Sequence, residues 1–207
     1  MILLLDARTG TTPRSEEPEL RQRASVVVED VYRLPDLDLG PFHALHISGM
    51  VDQEFLWQQR DVIDRFLDDG KLVVFCGHLL RPWLPGCGTF VPVAVTSYRD
   101  YVVHLADPHP VFDGVDPRDL TFRRGVAGFF ARGHHPPPPG AEVLATLAGG
   151  QPITWIDRST TNGTVFTHAG NDLIGFADDS TAARLGAQLL DWIEAETETA
   201  TERSVPA

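Results

Sequence analysis

Two strand-like segments of this chain end in side chains that could carry out nucleophilic chemistry. The apolar run Leu72–Phe75 ends in Cys76, and the run Gly163–Thr167 ends in His168. In an open α/β sheet, ligands bind beyond the carboxyl ends of the strands, so we expect both side chains at one edge. A thiol becomes a strong nucleophile when a nearby imidazole removes its proton. The pattern therefore predicts Cys76 as a candidate catalytic nucleophile and His168 as its candidate base.

The same two residues also have a purely structural interpretation. A cysteine at the end of a buried strand is a common core residue, and a histidine before Ala169 and Gly170 is commonly a polar loop residue. A cysteine–histidine pair also needs a third group that orients the imidazole. The sequence leaves both interpretations open. The feature that distinguishes them is the group that orients the His168 imidazole.

Residues next to these strand ends are candidate ligand-binding positions. Gly49 follows an earlier apolar strand, whereas Gly77 and His78 directly follow Cys76. A long loop rich in proline and glycine comes next and contains Trp83. Such a loop after a key strand commonly forms part of a site, so we expect these residues to contribute to ligand binding.

The histidines form no metal-binding motif. His43 and His46 are three residues apart on a predicted strand, so their side chains point to opposite faces. His134 and His135 precede four consecutive prolines; they could bind a metal ion adventitiously, but the composition favours a solvated surface loop. The sequence therefore predicts no metal site and no cofactor.

The alternation of apolar strands and an amphipathic helix predicts a single α/β domain with a mostly parallel sheet flanked by helices. The predicted early strands are Ile2–Ala7, Ser25–Glu29, His43–Ser48 and Leu72–Phe75, with helices at Pro13–Arg23 and Gln53–Asp69. Three later strands are predicted at residues 142–147, 152–157 and 163–167, followed by a helix at Thr181–Glu196. This places the domain at residues 1–194 and an acidic flexible tail at residues 195–207.

The amino-acid composition of the chain argues against nucleic acid and membrane as binding partners. The 207 residues carry a net charge of −12, which argues against binding to a nucleic-acid backbone. No window is long and apolar enough for a membrane span, and the amino terminus lacks the pattern of a signal peptide. We therefore expect a cytoplasmic protein, in which Cys76 and Cys87 form no disulfide.

The order of these motifs resembles the class I glutamine amidotransferase-like superfamily, in the branch of the ThuA-like proteins and the β-galactosidase trimerisation domain. The resemblance covers residues 1–194. It depends on Asp-Gly-Lys-Leu-Val-Val-Phe-Cys-Gly-His at residues 69–78, on Pro-His-Pro-Val-Phe-Asp-Gly-Val at residues 108–115, and on the last three strands with the final helix. It implies a flavodoxin-like fold with Cys76 and His168 at the positions of the nucleophile and base.

The chain departs from this family at the residues that support catalysis. Val74 stands where the family's nucleophile elbow has a glycine, and Gly77 comes one position early. Gly170 stands where the family has the glutamate that orients the histidine, and the nearest carboxylate is Asp172.

With these departures, the resemblance implies a non-catalytic module that binds a protein partner or a small ligand, as a component of a larger assembly or a homo-oligomer. The alternative is an atypical cysteine amidohydrolase, similar to a glutaminase, that uses Cys76 and His168. A ThuA-like role connected with carbohydrates depends on the analogy of fold alone.

Overall fold

The computed structural model describes residues 1–7, 20, 23–175 and 179–204, with side chains described as far as residue 199. The predicted helix at Pro13–Arg23 lies outside the described residues except for Leu20 and Arg23. Among the described helices, none has the length and apolar character that a bilayer span requires.

An eight-stranded sheet forms the centre of the molecule. Its strands are β1 (Ile2–Asp6), β2 (Val26–Asp30), β3 (Ala44–Ser48), β4 (Leu72–Cys76), β6 (Val103–Leu105), β10 (Glu142–Leu147), β11 (Pro152–Asp157) and β12 (Thr164–His168), in the order β2-β1-β3-β4-β12-β11-β10-β6. The first five strands in this order are mutually parallel, and β11, β10 and β6 continue the sheet by antiparallel pairing. The predicted α/β fold with a mostly parallel sheet is confirmed.

Short strands and helices complete the described structure. Two further antiparallel sheets have two strands each: β5 (Val91–Pro92) pairs with β9 (Gly133–His134), and β7 (Phe122–Arg123) pairs with β8 (Val126–Ala127). The α-helices are α1 (Gln53–Gln58), α2 (Arg60–Asp68), α3 (Pro117–Thr121) and α4 (Leu185–Ser204). Short 3-10 helices cover Val31–Asp36, Tyr98–Tyr101, Pro110–Phe112 and Thr181–Arg184.

The helix predicted at Gln53–Asp69 is interrupted at Gln59, which leaves helical geometry with φ −98° and ψ 10°. Its ends are as predicted. The Asp52 carboxylate accepts hydrogen bonds of 3.0 Å from the backbone N–H groups of Glu54 and Phe55, which caps the first turn. Gly70 follows the helix with a positive φ of 78°, a conformation that glycine adopts without strain.

The last helix extends beyond the predicted end at Glu196. Helix α4 continues to Ser204 and includes most of the segment predicted as a flexible tail. Its acidic side chains have partners on the domain, since Glu196 accepts a 2.7 Å hydrogen bond from Arg158 and Glu194 pairs with Arg23 at 3.3 Å. These ion pairs hold the acidic half of the helix in place, which the sequence pattern did not indicate.

The sheet separates two apolar layers. Alternate strand residues such as Leu4, Val74 and Phe166 face α4, and we call this side the α4 face. The other alternate residues, including Ile47 and Phe75, pack with α1 and α2. Cys76 belongs to the α4 face and is fully buried, so its thiol points into a packed layer.

The segment before the four prolines is not the solvated loop that the sequence predicted. His134 belongs to β9, and His135 is fully buried. The Nε2 atom of His135 accepts a 3.1 Å hydrogen bond from the backbone N–H of Leu79, and its carbonyl accepts one of 3.2 Å from the Trp155 indole. A proline-rich segment can lie against a core because prolines have no N–H group that burial would leave unpaired.

Candidate functional site

The predicted nucleophile and base lie side by side on adjacent parallel strands. Cys76 at the end of β4 is in register with His168 of β12 on one side and with Ser48 of β3 on the other. Register partners on parallel strands point to the same face, so the three side chains form a row on the α4 face. All three are buried, with exposed fractions of 0%, 2% and 6% respectively.

Both ring nitrogens of His168 have hydrogen-bond partners other than the thiol. Nε2 lies 3.1 Å from the carbonyl oxygen of Phe130, and Nδ1 lies 2.8 Å from the hydroxyl of Thr154. A carbonyl can only accept a hydrogen bond, so Nε2 carries the proton and Nδ1 accepts from Thr154. This arrangement fixes the neutral ring and leaves no lone pair to take the proton of a thiol.

Burial reinforces the neutral state of this ring. Burial lowers the pKa of His168 from 6.5 to about 4, although the Phe130 carbonyl and the Asp172 charge oppose the change. Burial, together with three neighbouring histidines, also lowers the pKa of His135 to about 3. The unfolded chain binds these protons at a higher pH, near 6.5. Stability from both rings is therefore complete above pH 6.5 and is lost as the pH falls toward these values.

Gly170 explains why no side chain can orient His168 from the family position. A Cβ atom at Gly170 would overlap the Phe130 carbonyl oxygen. Ala131 forms a β-bridge with Gly170, and Asn171 N–H donates a 3.1 Å hydrogen bond to the same Phe130 oxygen. The backbone of the 130–131 segment thus fills the space that a glutamate at position 170 would need.

Gly49 and Gly77 make a close backbone contact at the ends of β3 and β4. A Cβ atom at Gly49 would lie 2.5 Å from the Cα of Gly77, and one at Gly77 would overlap the Cα of Gly49. The N–H of Gly77 donates a 2.9 Å hydrogen bond to the His168 carbonyl. Their small size is therefore explained by strand spacing, and the two glycines leave no gap between them.

Trp83 and His78, the other two residues predicted to bind a ligand, have different environments. Trp83 is 1% exposed, and its ring lies edge-on to Phe75 at a centroid distance of 5.0 Å. His78 is exposed, and its ring stacks on Phe90 at 3.7 Å. Partial burial lowers the pKa of His78. Of the two, only His78 lies at the surface, where it could touch a ligand.

Gln53 is a buried polar residue that the sequence analysis did not identify. Its Nε2 donates a 2.6 Å hydrogen bond to the His78 carbonyl, and its Oε1 accepts bonds of 2.7 Å from Leu80 N–H and 3.3 Å from the Trp83 indole. One side chain thus holds the loop that follows Cys76 against the start of α1. The only sequence signal is a glutamine directly after the helix cap Asp52.

The side chains of His46 and Asp172 lie close to Cys76. The ligating atoms of His46, Cys76 and Asp172 all lie within 4.8 Å of one another. His46 is fully buried, and its Nε2 is 3.2 Å from Asp172 Oδ1. The two atoms are not aligned as a hydrogen bond, and among the described residues neither ring nitrogen of His46 has a hydrogen-bond partner.

The free cysteines agree with the sequence analysis. Cys76 and Cys87 are both buried and are not joined in a disulfide, as predicted. Burial raises the pKa of the Cys87 thiol well above its ordinary range, which keeps that sulfur protonated and unreactive.

Solved structures share this fold at low sequence identity. The cytoplasmic protein STM3548 from Salmonella typhimurium is 12% identical with a TM-score of 0.59, and the match covers 94% of this chain and 98% of that one. A Thermoplasma acidophilum protein, provisionally assigned as a GMP synthase subunit, is 12% identical with a TM-score of 0.56, covering 98% and 96%. The mmIFT52 N-terminal domain is also 12% identical, with a TM-score of 0.54 and coverage of 93% and 97%.

At 12% sequence identity, the similarity to these structures shows only that the fold is shared. The chain shares an α/β fold with these structures, and in it a cysteine and a histidine lie at the ends of adjacent strands. No family model matches the chain, and no curated protein matches its sequence.

Proposed function

We propose that this chain is a non-catalytic module of the amidotransferase-like fold that binds a protein partner or a small ligand within a larger assembly. The observation that carries the proposal is the engagement of both His168 ring nitrogens by Thr154 and Phe130. A base in that state cannot remove the Cys76 proton, and the fully buried thiol offers no open face to a substrate.

Surface residues at the same edge support a role in binding. Met50 and Leu80 are 77% and 66% exposed, and they lie in the loops that follow β3 and β4. The same loops carry the exposed ring of His78, which stacks on the partly buried Phe90. Exposed large apolar and aromatic side chains at one edge are typical of surfaces that contact partners. The similarity to the mmIFT52 N-terminal domain adds that this fold can serve as one domain of a larger protein.

The register of Cys76 with His168 favours the alternative, a cysteine amidohydrolase. Ammonia release from glutamine, measured with the purified chain and its Cys76→Ala variant, separates the two functions. We expect no release above that of the variant, and no covalent labelling of Cys76 by a glutamine-derived diazoketone. Cys87→Ala is the matched control for loss of a buried thiol.

Ammonia release that Cys76→Ala abolishes and Cys87→Ala leaves unchanged would establish the hydrolase instead. Because Cys76 is in van der Waals contact with a packed core, folding of each variant is checked first by circular dichroism. The diazoketone reaction on the unsubstituted chain needs no variant, so the comparison does not depend on the stability of Cys76→Ala.

A further inference from the structure

We propose that His46, Cys76 and Asp172 bind a divalent transition-metal ion of the zinc class. An imidazole, a thiol and a carboxylate are the three protein groups that bind zinc. They come from β3, from β4 and from the loop after β12, and they meet at the carboxyl edge of the sheet. This site goes beyond the proposed function and does not depend on it.

The orientation of His46 points to a shared ion rather than to a hydrogen bond. Its Nε2 is 3.2 Å from Asp172 Oδ1 but is not aligned to donate to it. Zinc binds nitrogen and oxygen at about 2.0–2.2 Å in tetrahedral geometry, which places two such ligands about 3.3 Å apart. The observed separation of 3.2 Å therefore suits two ligand atoms of one ion.

The buried imidazole also needs a partner on energetic grounds. A fully buried polar group without a hydrogen bond lowers the stability of the fold, and such groups in native proteins commonly mark an ion or ordered water. His46 is 0% exposed, and a metal ion would satisfy it. The N–H of Ile174 donates a 3.1 Å hydrogen bond to Asp172 Oδ1, which holds this carboxylate facing the cluster.

Binding of a divalent ion at this site requires the loss of one proton and a small movement of the ligand atoms. The Cys76 thiol gives up its proton to solvent when it binds, and the resulting thiolate and the Asp172 carboxylate neutralise a divalent ion. A tetrahedral sulfur-to-nitrogen edge is about 3.6 Å, so the atoms that now lie up to 4.8 Å apart move closer by about one ångström. A fourth position remains for water or a ligand atom.

Cobalt(II) titration of the purified full-length chain tests the site, because a thiolate ligand gives a near-ultraviolet charge-transfer band. We expect a band that saturates at one equivalent and is displaced by zinc. Cys76→Ser should abolish it, and His46→Gln and Asp172→Asn should each weaken binding at least about 100-fold. Cys87→Ser and His43→Gln are matched controls that should retain it.

Absence of the thiolate band in the unsubstituted chain would overturn the proposal. So would a band that survives Cys76→Ser, or one that neither His46→Gln nor Asp172→Asn weakens. Asp172→Asn removes the charge of a loop residue and hardly changes its volume. It therefore still tests the site if the strand variants Cys76→Ser or His46→Gln do not fold. A rise in melting temperature with zinc, reduced in Asp172→Asn, is an independent readout that does not depend on activity.

Discussion

Gly170→Ala is expected to prevent stable folding of this chain. The added methyl group would occupy the position of the Phe130 carbonyl oxygen, a backbone atom that cannot rotate away. Relief of the clash would separate Ala131 from Gly170 and break the hydrogen bonds that His168 and Asn171 donate to Phe130. We expect a loss of more than about 4 kcal/mol in the free energy of unfolding, measured by urea denaturation or seen as loss of soluble protein.

Gly40→Ala is the control for this substitution. A Cβ atom at Gly40 meets only the end of the flexible Asp38 side chain, at 3.1 Å, so we expect a change within about 1 kcal/mol. If Gly170→Ala retained the stability of the unsubstituted chain, the 130–131 segment would not lie against the end of β12. The Phe130 carbonyl could then not hold the proton on Nε2 of His168.

Gln53→Met is expected to cost about 3 kcal/mol or more, because it leaves three polar groups without partners. These are the His78 carbonyl, the Leu80 N–H and the Trp83 indole. Methionine has nearly the volume of glutamine, so the change removes hydrogen bonds with little change in packing. Chemical denaturation monitored by tryptophan fluorescence measures the loss.

Gln58→Met is the matched control, because Gln58 lies on the same helix but is exposed. We expect its free energy of unfolding to change by less than about 0.5 kcal/mol. Equal effects of the two substitutions would show that Gln53 does not hold the loop. Gln53→Glu adds a further comparison, since it keeps an acceptor for Leu80 and Trp83 but loses the donor to His78.

Seven of the eight strands of the central sheet, and the neighbouring positions of Cys76 and His168, could be predicted from the sequence. Continuous apolar runs identify buried strands, and the rule that parallel strands share an edge brings the two side chains together. These features depend on local pattern and on one general rule of sheet architecture. The turn predicted at Asn162-Gly163 is not a tight hairpin turn, because residues 158–163 connect β11 to β12 and neither Asn162 nor Gly163 has a positive φ.

The partners of His168 could not be predicted, because they come from distant parts of the chain. Phe130 lies 38 residues away and Thr154 lies 14 away, and only the tertiary packing brings them to the ring. The burial of His135 is of the same kind, since its composition indicates a solvated loop and its contact with Leu79 is non-local. His46 approaches Cys76 only because β3 and β4 pair in this register.

The protonation state of His168 distinguishes a non-catalytic module from a cysteine hydrolase, because a catalytic pair requires an imidazole that can take the Cys76 proton. Nitrogen-15 NMR reports the tautomer and the pKa of the ring, and comparison with His168→Gln assigns the signal. We expect a neutral ring protonated at Nε2 through the neutral pH range, with protonation only near pH 4 and no dependence on Cys76→Ala. A ring that is protonated near pH 7, and whose pKa falls when Cys76 is replaced, would instead reveal a thiolate–imidazolium pair. That result would contradict a non-catalytic role for Cys76 and His168.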